Sequence, residues 1–437
     1  MATMRISTAA CQITPLPGVE LGGFLFRQQP SLGVHDPLWV RAIYLEQGDQ
    51  RLLWLHTDVL GLEAAFVAEF NAWAGSRWGL TPHQVMVSAT HTHAGPATVP
   101  LINCGQQDPA YMQQLRRWME QAATQAVESS GKDEVQPVMA QGWCDLAVDR
   151  RRTASAHTDP RIGIVAWQRG DGSYAAVLAN YAMHHVALGH ENRYISGDVA
   201  GEAARALCQR LPGQPVVLFT AGACGNLNPP RTGVGFDQTR AWGELLASRV
   251  VDALADASPI EPAGLTLARQ TVQVPLKSLD EAGVERTAQR VSQAMAERDD
   301  PLAQRYRQAV ATWRQRMLGR LAQGALPSCA AVDLHAIRLG QVDLLGVGAE
   351  IFSSYTDDLQ QATGRRLYVV GYANGVAGYV PTPAACEEGG YEADSAFIFY
   401  DGLPPLPQGY EQLRDRGIEL IASLDRRRPA SATASFR

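Results

Sequence analysis

Apolar residues in this chain alternate in short segments, separated by longer stretches in which they recur at helical spacing. Residues 41–46 and 51–59 alternate or run apolar on either side of Gln47-Gly48-Asp49-Gln50, which predicts a β-hairpin. Apolar positions over 63–77 then follow a near-helical period and stop at Gly79, predicting a helix. A second helix is predicted from Asp108-Pro109, with aspartate as cap and proline in the first turn, to Gly131. Residues 162–168 and 174–181 flank the turn Gly170-Asp171-Gly172, and the unbroken apolar run 215–220 reads as a buried strand. Helical patterns at 201–210 and 239–255 lie on either side of that run.

Over 279–323 the pattern becomes charged and helical and breaks at Asp299-Asp300-Pro301, as a helical hairpin packed on one flank would, either as a structural element or as a lid. A strand pair at 331–338 and 342–347 follows, then a helix from about Ile351, and residues 426–437 read as a flexible tail. This order predicts an α/β fold: a mixed β-sheet core flanked by helices, in one domain over 1–425, with the helical hairpin as an insertion. The sequence shows no internal repeat and no linker.

With 437 residues, 46% of them hydrophobic and 19% charged, the chain can bury a large core. A net charge of −6 argues against a nucleic-acid partner, which calls for a basic face. Residues 1–11 lack the basic start and apolar core of an export signal, and no run approaches the ~18 apolar residues of a membrane span. The expectation is a cytoplasmic protein without an integral membrane segment. The cysteines at 11, 104, 144, 208, 224, 329 and 386 are scattered and form no CxxC pair, so buried thiols are expected rather than disulfides or a thiolate metal site.

The chemistry concentrates in a few segments. In Val87-Ser-Ala-Thr-His91-Thr-His93-Ala-Gly-Pro96, a β-rich run delivers two imidazoles at i and i+2, on one face of a strand end, to a Gly-Pro turn. Histidine is a common zinc ligand, and a site of this kind draws its remaining ligands from distant segments. A second pair, His184 and His185, ends the apolar strand that begins at 174. Adjacent side chains on a strand diverge, so one of the two joins a site. Glu350 stands where a strand breaks toward a helix, and Tyr379 follows a glycine-rich turn; taken singly, each is a helix-terminal or packing residue.

Together these segments resemble the catalytic domain of the neutral/alkaline, non-lysosomal ceramidase family. The matching stretches are Ala10-Cys-Gln-Ile-Thr-Pro with Gly22-Gly23-Phe24, then 90–96, 180–201, 222–229, 348–352 and 378–395, nearly the whole chain. The resemblance implies Zn²⁺ held by His91, His184, Glu350 and Tyr379, and hydrolysis of a ceramide-like N-acyl amide in sphingolipid metabolism. Counted back from Asn192, the family register selects His184; counted from Asn180, it selects His185. By the same resemblance His93 faces substrate, and Tyr391 stabilises the reacting oxygen. Arg150 binds a substrate oxygen or carboxylate, with Arg151 as its competitor, and residues 19–27 line the pocket.

One position departs from the family. In Gly225-Asn226-Leu227-Asn228-Pro229, Asn228 stands where ceramidases carry a serine regarded as catalytic. Asparagine cannot be acylated, so a metal-activated water becomes the attacking group, with Asn228 orienting water or substrate or donating to the oxyanion. The chain after Gly402 is too short for the immunoglobulin-like domain that secreted ceramidases append, which points to a soluble or modest-sized amide. The expected function is a zinc-dependent amidohydrolase acting on a small-molecule or lipid-like N-acyl substrate. Its alternatives are a hydrolase of another small amide, lactone or ester, and a silent ligand-binding homologue. Asp58 and Asp198 either hold a ligand imidazole in its tautomer or cap loops. His56, His157 and His190 belong to no motif and are expected in core or surface.

Overall fold

The computed structural model describes residues 3–426, apart from residues 28 and 263; of the expected tail, 427–437 lie outside the described residues. The hairpin read from the sequence is Trp39–Gln47 paired antiparallel with Gln50–Thr57. It belongs to a nine-stranded mixed sheet whose main path runs Val216–Ala221, Tyr174–Tyr181, Arg161–Arg169, Asp133–Trp143, Met4–Gln12, Trp39–Gln47, Gln50–Thr57 and Val85–Ala89. A second, four-stranded sheet runs Leu265–Pro275, Cys329–Leu339, Val342–Val347 and Arg366–Val370.

Burial explains how the layers stack. One face of the large sheet packs Val40, Leu53, Ile164 and Phe219 against helices Ala64–Trp78, Pro109–Val127, Asp198–Arg210 and Phe236–Leu254. Its other face meets the small sheet through Trp54, Trp167 and Leu178 on one side and Leu267, Ile337 and Tyr368 on the other. The far face of the small sheet is covered by Ser354–Thr363 and Pro407–Arg426 through Tyr355, Leu359, Leu413 and Leu420. The result is a helix, sheet, sheet, helix sandwich, a mixed sheet core flanked by helices.

Local signals place most helix ends. Gly79 closes Ala64–Trp78 at φ 67°, with its N–H on the Gly75 carbonyl, and Asp108 accepts from the amides of Ala110 and Tyr111. The second helix ends at Val127 rather than Gly131, and beyond it the Ser129 hydroxyl donates to the Gly131 carbonyl at 3.3 Å. The helix expected from Ile351 begins at Ser354. Before it, Glu350–Ile351 pairs in parallel with Tyr379–Val380, and the Asn226 side chain accepts from the Ser353 amide.

The helical hairpin is Glu281–Gln293 and Pro301–Ala322, with Asp300 capping the second helix through the Ala303 amide. It packs Val284, Val291, Tyr306 and Trp313 onto Leu25, Ile102, Phe397 and Phe399. Trp313 Nε1 donates to the Gly402 carbonyl at 2.7 Å, and Arg305 donates to the Asn103 carbonyl at 2.7 Å. These bonds fix the hairpin as a wall.

The two outer strands of the large sheet are turned toward each other. Thr92, just past Val85–Ala89, bridges His185, just past Tyr174–Tyr181, and His56 Nε2 lies 3.0 Å from the Phe219 carbonyl. The turn after Arg366–Val370 joins them: Gly371 N donates to Ala221 O at 2.9 Å, and Asn374 exchanges bonds with both backbone groups of Val87. All seven cysteines are free, but only Cys11, Cys104, Cys144 and Cys224 are buried; Cys208, Cys329 and Cys386 are half-buried, so the expectation of buried thiols holds for part of the set. No helix among the described residues is long and apolar enough to cross a membrane.

Candidate metal centre

Strand ends build this site. Val85–Ala89 runs into His91, Tyr174–Tyr181 into His184, Val216–Ala221 into Cys224 and Asn228, Val342–Val347 into Glu350, and Arg366–Val370 into Tyr379. Ligands of α/β proteins gather outside the carboxyl ends of strands for the same topological reason. Close approach of two of these loops needs glycine at 225, where a Cβ would stand 2.6 Å from the Glu350 carbonyl oxygen.

His91 Nδ1 lies 2.6 Å from the Leu60 carbonyl, and His184 Nδ1 lies 2.7 Å from that of Cys224. A carbonyl only accepts, so each Nδ1 carries a hydrogen and each Nε2 turns inward. His91 Nε2 is 3.1 Å from His93 Nε2 and 3.6 Å from Glu350 Oε2, while His184 Nε2 is 2.9 Å from the same oxygen. His185 points away, toward Phe219, with both ring nitrogens buried and without a partner. The structure therefore groups His184, not His185, with His91 and Glu350.

Burial pushes the His91 pKa down to about 3, against the pull of Glu350, and pushes that of His93 well below the usual histidine range. For His184 burial also acts downward, but Cys224 and Glu350 at its edge raise it to about 9. Burial works upward on Glu350, yet His91, His184 and the Tyr400 hydroxyl hold its carboxyl down to about 2. A carboxylate and inward-facing imidazole nitrogens thus converge where little solvent reaches.

This donor set fits a divalent cation. The nitrogens of His91, His93 and His184 lie within 4.8 Å of one another, and two of the three rings have their other nitrogen anchored on a carbonyl, as metal-ligating histidines do. Tyr379 stands beside Glu350 in the short parallel pairing. Its hydroxyl accepts from Arg150 at 3.2 Å.

Arg150 is the organiser of the adjoining wall. Nε donates to Glu392 at 2.8 Å, one terminal nitrogen donates to Asn228 Oδ1 at 3.1 Å, and the other to the Gly225 carbonyl at 2.7 Å and to Tyr379. Arg151 turns elsewhere, onto Glu392 at 2.7 Å and the carbonyls of Ala385 and Gly389, and so supports the segment that carries Tyr391. Tyr391 is 46% exposed, and its ring lies 5.7 Å from that of Tyr379.

These groups open into a cavity of about 700 Å³. Its lining combines His93, His184, Tyr379, Arg150 and Asn228 with the apolar Phe24, Leu25, Phe26, Met295 and Phe399 and the ring of Tyr306. His91 and Glu350 are buried behind the first group, at 1% and 2% exposure. Gly23 lines the cavity in contact with His93: at φ +94°, a Cβ there would lie 2.3 Å from His93 Nδ1.

Other sequence candidates fall outside the centre. Asp58 accepts from the Trp39 amide and from Arg41, and Asp198 from the amides of Ala187 and Leu188, so both cap backbone or pair with arginine rather than touch an imidazole. His56 is buried on Ser88, His157 pairs with Asp357, and His190 is exposed. Sequence reasoning missed Tyr372, stacked on His91 at 3.8 Å, and Tyr400, which donates to Glu350 Oε1. A lone tyrosine carries no periodic signal; only the Asn374-Gly375 turn beside Tyr372 marked that loop as constrained.

No protein-family model matches the chain. Over 261 residues it is 24% identical to the neutral ceramidase of Pseudomonas aeruginosa, covering 52% of this chain and 38% of that protein's length. The crystal structure of neutral ceramidase from Pseudomonas aeruginosa superposes with a TM-score of 0.75 at 18% identity, covering 100% of this chain and 76% of the other. A structure of a ceramidase complexed with C2 gives a TM-score of 0.76 at 18% identity, with 100% and 77% coverage. In fold throughout, and in sequence over about half its length, the chain is similar to neutral ceramidase.

Proposed function

We propose that the chain is a zinc-dependent amidohydrolase of the neutral ceramidase family that cleaves a lipid-like N-acyl amide with water. The observation that carries this reading is the convergence of inward-facing imidazole nitrogens and the Glu350 carboxylate beside a half-apolar cavity. His91, His184, Glu350 and Tyr379 would hold the ion, which supplies Lewis acidity and brings the pKa of water toward ~7.

The remaining residues bind, orient and move protons. Arginine can only donate, so the Asn228 atom facing Arg150 is its oxygen, and the Asn228 Nδ2 group is left to donate to an oxyanion in the cavity. Four of the five N–H groups of Arg150 are engaged within the protein. It therefore aligns Asn228 and Tyr379 and retains one N–H for substrate. His93, whose Nε2 lies 3.1 Å from that of His91, can carry a proton between water and the leaving amine. Tyr391 offers a second donor at the mouth. The apolar lining residues take the acyl chain, and Asn228 in place of serine leaves water as the attacking group.

A panel of N-acyl compounds that includes short-chain ceramides, with ester and lactone counterparts, tests this reading on protein loaded with zinc. Amide hydrolysis that stops on chelation and returns with zinc is expected. Turnover of esters or lactones alone would change the bond assigned, and zinc retention without any turnover would leave a binding protein. Gly23→Ala should displace His93 and lower turnover by ~10², with zinc content kept; a misplacement of about 1 Å suffices for such a loss. Unchanged kinetics in that variant would remove His93 from the mechanism.

A further inference from the structure

Two aromatic residues of the site occupy left-handed backbone conformations, His91 at φ 62° and Tyr372 at φ 55°. Bulky residues adopt this region at a cost and keep it only where their surroundings over-determine it. The two are stacked on each other, with ring centroids 3.8 Å apart and planes 11° from parallel. From that position the Tyr372 hydroxyl reaches the rest of the centre: it is 3.4 Å from His184 Nε2, 3.5 Å from Glu350 Oε2 and 3.3 Å from Cys224 Sγ. One side chain, 2% exposed, thus touches three of the proposed ligands.

The turn that holds it is bonded to three strands that lead into the site. Gly371 N donates to Ala221 O at 2.9 Å, Ala373 N to Val347 O at 3.1 Å, and Asn374 N to Val87 O at 2.7 Å. Asn374 also accepts from the Val87 amide at 3.0 Å and donates to Asp333 at 2.9 Å. Those strands deliver Cys224, Glu350 and His91 respectively.

We propose that Tyr372 is a positioning residue for the metal centre, its ring setting the plane of His91 and its hydroxyl holding Glu350 and His184 in register. This rests on the metal reading given above. Groups that orient ligands in this way typically change metal affinity by about 10- to 100-fold when removed. Tyr372→Phe keeps the stack and removes the hydroxyl; Tyr372→Leu removes both.

The test measures zinc affinity by chelator competition, the visible spectrum of the cobalt-substituted protein, and the Tm of metal-free protein. Tyr372→Phe should bind zinc about 10-fold more weakly and Tyr372→Leu up to about 100-fold more weakly. The cobalt bands should shift, while the metal-free Tm of Tyr372→Phe stays at the wild-type value. Wild-type affinity and cobalt bands in Tyr372→Phe, the variant that keeps the stack and spares the fold, overturn the proposal. So does a fall in its metal-free Tm that parallels the loss of affinity. Wild-type protein that takes up no zinc overturns the metal reading itself, and the role of Tyr372 with it.

Discussion

His91→Ala protein, freed of metal and reloaded, should retain almost no zinc and lose amide turnover, whereas His190→Ala, at an exposed position, should retain both. The imidazole at 91 approaches His93 Nε2 and Glu350 Oε2 together and is held by the Leu60 carbonyl on its far side. Without it, the proposed ligand set loses a nitrogen, and Glu350 Oε2 loses the imidazole that stands 3.6 Å away. Deleting a side chain that is 1% exposed also leaves a cavity, so a fall in Tm should accompany the loss of metal. Elemental analysis of the reloaded protein measures the outcome directly: a full equivalent of zinc in His91→Ala would place the ion elsewhere and remove the basis of the mechanism.

Asn228→Ala should lower kcat by ~10²–10³, the usual cost of one oxyanion donor, with a smaller change in KM and no loss of zinc. The direction follows from Arg150, whose donor fixes Oδ1 on its own side and turns the amide nitrogen to the cavity. Asn228→Asp keeps the shape but replaces the donor with an acceptor, and should be as impaired as alanine. Asn228→Ser restores a hydroxyl donor and should recover part of the rate. Equal activity in all three variants would show that the side chain faces no developing charge.

Much of this architecture was readable from residues. Gln47-Gly48-Asp49-Gln50 gave the hairpin, and Asp108-Pro109 and Gly79 gave helix ends, because those signals act over a few residues of backbone. The outcome at 350–353 was not local: Glu350 stays extended because Gly378 and Tyr379 pair with it from across the chain. The same holds for His184 and His185. Strand alternation says that one of them turns inward, but which one depends on the Cys224 and Leu227 carbonyls that receive His184. Tyr372 and Tyr400 were invisible for a related reason, since each becomes informative only through the ring or carboxylate that folding places beside it.

The turn at 371–374 has a consequence for solubility. An outermost strand offers unsatisfied N–H and C=O groups on which another chain can align and begin to aggregate. Here both ends of the large sheet are occupied from within. Val87 is taken up by Asn374, Phe219 by the ring of His56, and Ala221 by Gly371, so neither flank is left as a template for intermolecular β-pairing at these positions.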